Sequence, residues 1–350
     1  MKILFFIPSL GGGGAEQATA ILMNHLCEKY ETIAALTNFT IPFYPVDSRV
    51  NIIDDRIHCQ LKGSSRIPRF LKMMLTIKKQ KPDLIISAIT KTNNNALLAN
   101  LLFRKKIIVV EHNTLNRQSK HNQRIRRLLY PTANKIVFVS DEDCKAFGQP
   151  QKSLTIYNPA ILPPHPDYNN RSKTIITIAP TNRWYYKGLD LLFKGWAKIA
   201  NRNMNWNLEI LGAIDEKIIP NDFFSYNHER IKWLGWHNNV AEILQNKSIF
   251  ILASRFEGCP ISLIEAMSQG CACIVTNCNG GAKEIIDDGI NGLIAQTEDI
   301  DDIAEKLQML IDDENLRRRL SSGAIEKVKQ YDKNVFFAKW DKLIEEVTKK

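Results

Sequence analysis

The sequence predicts an α/β chain made of two doubly wound parallel-sheet domains. Three observations predict it. Short apolar runs rich in β-branched residues alternate with amphipathic stretches along the chain, the pattern of a parallel sheet covered on both faces. A polar stretch from Tyr157 to Lys173, carrying Pro159, Pro163, Pro164 and Pro166, divides that alternation into two series and reads as a linker. The length, 350 residues, exceeds what one hydrophobic core usually organises.

In the first series the predicted strands are Lys2–Ile7, Thr32–Thr37, Leu84–Ile89, Lys106–Glu111 and Lys135–Ser140. In the second they are Thr174–Pro180, Asn207–Gly212, Ser248–Ala253 and Cys271–Thr276. The expected domains are 1–160 and 161–330, with a C-terminal helix in 331–350 packing back on the first. Ligands of such sheets sit at the carboxyl ends of the strands, so a cleft between the domains is the expected site.

Composition narrows the classes. Hydrophobic residues make up 44% and charged residues 24%, an ordinary globular balance rather than a disordered or repeat sequence. No apolar run approaches the ~18–20 residues of a membrane span. The opening "MKILFFIPSL" ends in glycines without a small-x-small cleavage pattern, so it reads as a first strand rather than a signal peptide. Seven cysteines without any C-x-x-C pair argue against zinc and against a disulfide framework, leaving reduced thiols. The net charge is +10, and it is uneven: residues 1–160 hold 23 Lys and Arg against 11 Asp and Glu, the remainder 24 against 26. The first half should therefore prefer an anionic partner, whether nucleic acid, acidic membrane or a phosphorylated substrate.

Four stretches carry the chemistry. The first, "SLGGGGAEQAT" (Ser9–Thr19), puts four glycines between a strand and a helix. Glu16 stands where a dinucleotide fingerprint needs its third glycine, and no Gly-Lys-Ser/Thr follows. What remains is a turn whose bare backbone admits a phosphate or sugar, or simply a tight strand-to-helix turn. The second, "APTNRWYYKG" (Ala179–Gly188), places Arg183 and Lys187 four apart before a helix starting near Gly188. Two fixed cations at a strand's carboxyl end suit a diphosphate.

The third, "SRFEGCPISLIEAMSQG" (Ser254–Gly270), contains Glu257 and Glu265 with seven residues between them. A helix is expected over about Ser262–Gln269, ended by Gly270, with Ser262 and Glu265 forming a capping box. Glu257 has no such local use; it lies on the loop where ligands sit. The fourth, "SRIPRFLKMMLTIKKQK" (Ser65–Lys81), is a basic amphipathic segment. Ile67, Phe70, Leu71, Met74 and Ile77 form its expected apolar stripe, and Arg69, Lys72, Lys78 and Lys79 flank it. "RIRRLL" (Arg124–Leu129) is a second basic segment. Basic amphipathic helices favour anionic membrane surfaces. The Asp-x-Asp of the first domain, Asp141 and Asp143, looks like a helix start.

Together with "EHNT" (Glu111–Thr114), "VFVSD" (Val137–Asp141), "YNP" (Tyr157–Pro159) and "NGGAKEIIDDGINGLI" (Asn279–Ile294), these motifs span both domains. In that order the chain resembles a retaining nucleotide-sugar glycosyltransferase of family 4, with the GT-B fold. The resemblance implies that Gly13 and Gly14 approach the donor and that Arg183 and Lys187 neutralise its diphosphate. It implies that Glu257 and Gly258 meet the donor sugar, that Glu265 accepts from the ribose, and that amides near Ser262 and Leu263 hold the distal phosphate. His112 would face the sugar and the acceptor. It further implies a UDP-hexose or UDP-N-acetylhexosamine donor, front-face substitution with retention, and no metal or other cofactor. The acceptor would be a glycan, expected to be linked to a polyprenyl diphosphate. The protein would then be cytoplasmic and peripheral at the inner face of the membrane, without a nucleic-acid partner. A non-catalytic nucleotide-sugar binder and a basic nucleic-acid-binding protein are the alternatives.

Overall fold

The computed structural model describes residues 1–36, 41–54, 68–115, 118–169, 171–215, 217–218, 230–237 and 239–349. Thr37, Cys59 and the Ser65–Ile67 start of the basic stretch lie outside them. The chain divides into two compact units, residues 1–158 with 334–350, and residues 159–333.

Unit 1 is built on a seven-stranded sheet. Its strands are β1 (Lys2–Ile7), β2 (Glu31–Leu36), β3 (Asn51–Asp54), β4 (Leu84–Ala88), β5 (Lys106–Glu111), β6 (Lys135–Phe138) and β7 (Ser153–Thr155). Their order is β3-β2-β1-β4-β5-β6-β7, and every pairing is parallel. Phe5 is in register with Ala34 on one side and Ile86 on the other. Central strands are covered on both faces, which is why they read as continuous apolar runs. One face buries Phe5, Ile86 and Val110 beneath α1 (Gly14–Leu26) and α12 (Lys333–Thr348). Phe336, Trp340, Leu343, Ile344 and Val347 make the buried stripe of α12, at helical spacing. The other face buries Leu4, Phe6, Ile85 and Val109 beneath α2 (Arg69–Gln80), α3 (Thr90–Asn100) and Tyr130, which directly follows α4 (Lys120–Leu129).

Each basic segment departs from expectation at one residue. On α2 the buried residues are Met73, Thr76 and Ile77, whereas Leu71 is exposed. Phe70 and Met74 of the expected stripe pack on the core beside Ile77, so Leu71 alone of its described members departs. On α4, Arg126 is buried rather than displayed. Its Nη1 lies 3.8 Å from Glu111 Oε2, and its Nη2 donates to the Leu115 carbonyl.

Unit 2 has a six-stranded parallel sheet of β8 (Ser172–Ile178), β9 (Asn207–Leu211), β10 (Ile231–Gly235), β11 (Lys247–Leu252), β12 (Ala272–Thr276) and β13 (Leu293–Ala295). The order is β10-β9-β8-β11-β12-β13. Its core joins Ile175, Leu208, Ile249 and Ile274 of the sheet to Leu192 and Trp196 of α6 (Leu189–Ile199) and Leu307 of α10 (Ile300–Asp312). The described cysteines are all free. No helix among the described residues is long and apolar enough to cross a membrane.

Candidate functional site

In each sheet the strand order reverses at one point, where adjoining connections leave in opposite directions and open a crevice. In unit 2 that point lies between β8 and β11. The carboxyl end of β8 leads into the turn carrying Arg183 and Lys187, and that of β11 leads into the loop carrying Glu257. The fold thus brings together two motifs 70 residues apart. Lys187 Nζ donates to Glu257 Oε1 at 2.7 Å, and Ser254 Oγ donates to the same oxygen at 2.6 Å. Both charged side chains are largely enclosed, 16% and 10% exposed. Arg183 is exposed at the end of a single 3-10 turn, and its carbonyl accepts from the Lys187 N–H.

Arg255 holds these two loops together, and sequence reasoning missed it. All five of its guanidinium N–H groups are engaged, with Asp190 taken in a bidentate fork at 2.7 Å on each side. The others reach Glu298 and the Tyr185 carbonyl. Its plane also stacks 4.1 Å from the Tyr185 ring centroid, and its backbone N–H donates to the Tyr186 carbonyl. Only arginine offers that many donors in a fixed fork. Asp190 opens α6 three residues after Lys187, so the clamp fixes the Lys187 turn against the Glu257 loop.

The rest of the third motif forms α8 (Ile261–Ser268). Its N-cap is Pro260, with no side-chain cap, so the capping box between Ser262 and Glu265 does not form. Ser262 is the second residue of the helix and Glu265 is buried in it. The Leu263 N–H is already taken by the Pro260 carbonyl at 3.1 Å, while the Ser262 N–H has no partner among the described residues. Of the two amides expected to meet a phosphate, Ser262 is therefore the open one. Gly270 and Cys271 close α8 by donating to Met267 and Ala266, the paired bonds of a Schellman ending. The late glycine-rich loop lies alongside: Asn279 bridges Phe256, and the Gly281 N–H donates to the Gly258 carbonyl.

In unit 1 the glycine turn follows β1, one of the two strands at that sheet's reversal. Gly13 caps α1 and Gly14 is its first residue. The Glu16 carboxylate folds back into the space that a Cβ on Gly13 would occupy. His112 follows β5, placed there by a buried anchor. Glu111 accepts from Tyr130 Oη at 2.7 Å and Thr90 Oγ1 at 2.8 Å, and burial pushes its carboxyl up. His112 lines a mostly apolar cavity with Phe5, Ala88, Val139, Phe336 and Trp340. Its Nδ1 is buried without a partner among the described residues.

Burial holds the His112 imidazole down at about 4, against 6.5 for a free histidine. Because the folded value is the lower one, the unfolded chain takes the proton first as pH falls. The stability that neutral His112 contributes is whole above pH 6.5 and drains away as pH falls toward 4. Urea titrations at pH 7.5 and 5.0 should show a smaller acid-side loss for His112→Gln than for the wild type. Equal losses would mean that the ring is not enclosed.

Asp141 and Asp143 open α5 (Asp141–Phe147). Ser140 Oγ caps the Asp143 N–H, and the Asp143 carboxylate accepts from Ser140 Oγ and the Leu115 N–H. Arg69 and Lys72 are half-buried on α2, and Lys78 and Lys79 are exposed.

Two parallel α/β units in one chain are the architecture of the GT-B fold. Residues 165–327 match the family model of the glycosyl transferases group 1. A Campylobacter jejuni relative is 25% identical over 99% of each chain. Its name is GalNAc-alpha-(1->4)-GalNAc-alpha-(1->3)-diNAcBac-PP-undecaprenol alpha-1,4-N-acetyl-D-galactosaminyltransferase. A second enzyme from the same organism, N,N'-diacetylbacillosaminyl-diphospho-undecaprenol alpha-1,3-N-acetylgalactosaminyltransferase, is 31% identical over 51% of this chain and 47% of its own. The structure of Anabaena Alr3699/HepE in complex with UDP-glucose superposes with a TM-score of 0.81 at 17% identity, covering 99% of this chain and all of that one. The likeness to the glycosyl transferases group 1 covers residues 165–327, most of unit 2.

Proposed function

We propose that the chain transfers a hexose or N-acetylhexosamine, with retention, from a UDP-sugar to a glycan carried on a polyprenyl diphosphate. The observation that carries the reading is the convergence of Lys187, Ser254 and Glu257 at the reversal of the unit 2 sheet. Breaking the sugar–diphosphate bond creates an oxocarbenium-like carbon and an extra charge on phosphate. Arg183, Lys187 and the open Ser262 amide at the start of α8 are suited to stabilise that charge, a preorganised arrangement. Glu257, with its bonds converging on Oε1, keeps Oε2 for hydroxyls of the donor sugar. Glu265 is assigned to the ribose, Gly258 to the sugar, and Gly13 and Gly14 to the close approach of the donor. His112, neutral above its depressed pKa, serves as a hydrogen-bonding group toward the sugar and the acceptor. The reading gives charge neutralisation to these side chains rather than to a metal, and front-face substitution makes the leaving phosphate the acceptor's base. The names of the Campylobacter relatives, which act on undecaprenyl-diphosphate-linked sugars, support the lipid-linked acceptor. A cytoplasmic protein peripheral to the inner face of the membrane follows from such an acceptor.

Thermal shift with a panel of UDP- and GDP-sugars tests the donor. A ligand that binds only the folded state raises its apparent stability by mass action. One UDP-sugar should raise Tm for the wild type and do so much less for Arg183→Ala and Glu265→Ala. No shift from any nucleotide sugar at millimolar concentration would overturn the reading in favour of a degenerate relative.

A further inference from the structure

The cavity beside His112 belongs wholly to unit 1. It lies toward the carboxyl ends of the strands: Ala88 ends β4, His112 directly follows β5, and Val139 directly follows β6. α1 and α12, which cover this face of the sheet, supply the rest of the wall, α12 with Phe336 and Trp340. Most of the lining is apolar. Yet two buried polar atoms of lining residues have no partner among the described residues, His112 Nδ1 and Trp340 Nε1. Buried polar atoms are normally bonded either to protein or to ordered water.

The protein groups nearby have other engagements. The Val110 carbonyl, near the end of β5, accepts from the Ile89 N–H and from Asn93 Nδ2. Thr19 of α1 spends its hydroxyl hydrogen on the Ala15 carbonyl at 2.7 Å, so its oxygen can only accept. Asn158 also lines the cavity and has an interaction of its own. The cavity measures about 20 Å³. A water needs roughly 10–15 Å³ and two to four polar partners, so both the room and the partners are present.

We propose that a water in this cavity joins the Trp340 indole to His112 and thereby fixes which ring nitrogen carries the proton. The direction follows from the donors present. An indole N–H can only donate, so the water accepts from Trp340 and turns its two hydrogens toward acceptors. Those are His112 Nδ1 and Thr19 Oγ1. The opposite tautomer would put a second donor on the water and leave one of its hydrogens unpaired among these three groups. With Nδ1 accepting, the neutral ring carries its proton on Nε2. The ring is neutral at pH 7, because burial holds it down at about 4. His112 therefore presents Nε2–H as a donor. The inference rests on the reading of His112 as a group facing the sugar and the acceptor, and makes it specific: the ring donates to a substrate oxygen. Trp340 becomes a positioning residue, on a helix whose sequence pointed only to packing.

Long-range proton–nitrogen NMR spectra of the full chain with isotope-labelled histidine test the proposal. His112 is identified as the ring missing from the spectrum of His112→Gln. In the wild type at pH 7.5 it should show a bare Nδ1 and a protonated Nε2, and the Trp340 indole proton should give a cross-peak to a long-lived water. Neither reading requires a variant of the α12 wall to fold. Trp340→Phe keeps an aromatic ring and removes the donor. His112 should then become a mixture of tautomers, with both nitrogens shifted toward a common mean, and kcat/KM should fall about twofold as the competent fraction of rings halves. Phe336→Leu loosens the same wall without removing a hydrogen bond and should keep the wild-type tautomer. A wild-type ring protonated on Nδ1, an indole proton with no water beside it, an unchanged tautomer in Trp340→Phe, or equal mixing in Phe336→Leu would each overturn the inference. The spectra are recorded without donor or acceptor, which keeps the two readings apart. A fixed Nε2–H ring in a protein whose Tm no UDP-sugar raises would sink the donor reading and leave the link from Trp340 to His112 standing.

Discussion

Lys187→Met is expected to lower kcat/KM for sugar transfer about 10²- to 10³-fold, the usual cost of losing one preorganised charge-stabilising donor, about 3–4 kcal/mol of transition-state stabilisation. Two effects combine. Lys187 is assigned to the leaving diphosphate, and it is also the cation on Glu257 Oε1. Without it, Glu257 keeps only the Ser254 hydroxyl on that oxygen and is no longer fixed toward the donor sugar. Residues acting as a unit lose activity non-additively. The double variant Lys187→Met, Glu257→Gln should therefore be little slower than the worse single variant. Multiplicative losses in a double-mutant cycle would show that the two act separately. UDP itself engages the ribose and phosphate contacts, so Glu257→Gln should leave UDP binding nearly unchanged while removing the extra affinity due to the sugar.

The parts of the fold that were legible in the sequence are those with a strong local signature. The nine strands readable as apolar runs correspond to the interior strands of the two sheets. The four that escaped notice, β3, β7, β10 and β13, are the four sheet edges. An edge strand has a neighbour on one side only and is short and partly exposed, as in the three half-buried residues of β7. Its sequence therefore lacks the continuous apolar run of a strand covered on both faces. The site shows the same division. Arg183, Lys187 and Glu257 were readable because cations and carboxylates on loops at strand ends have few structural uses, whereas Glu265, inside α8, was assigned only through the resemblance. The bonds among them were not: Lys187 meets Glu257 across 70 positions, and Arg255 meets Asp190 across 65. Which charge faces which depends on the side-by-side placement of β8 and β11, a tertiary fact. Arg255 was visible only as one cation inside "SRFEG". The capping box failed for a different reason, because the helix took Pro260 as its N-cap, two residues before the serine that the signal indicated.

Gly188→Ala is expected to be the most destabilising single-methyl change in unit 2, costing at least about 3 kcal/mol. Gly188 caps α6 with φ +62 and ψ 34, a left-handed conformation that costs an L-residue ~1–2 kcal/mol. That strain is the smaller part. A Cβ there would stand 1.9 Å from the Ala253 carbonyl oxygen and 2.8 Å from its carbon. The obstacle is backbone, and it directly follows β11, which is paired on both sides by β8 and β12. It cannot swing aside as a side chain could, so the Lys187 turn must lift away from the Ser254–Glu257 loop. Gly289 supplies the control. It lies in the same unit with φ +75, but a Cβ there meets nothing within 4 Å. Gly289→Ala should therefore show only the conformational cost, about 1–2 kcal/mol. At ~2–4 °C per kcal/mol for a unit of this size, Gly188→Ala should lower Tm by roughly 10 °C and the control by roughly 4 °C. Any Gly188→Ala protein that remains folded should also have lost its UDP-sugar shift, because the residue that lifts away is Lys187. Equal Tm changes for the two variants would mean that the Lys187 turn does not rest on Ala253, and the close seating of cation against carboxylate would lose its structural basis.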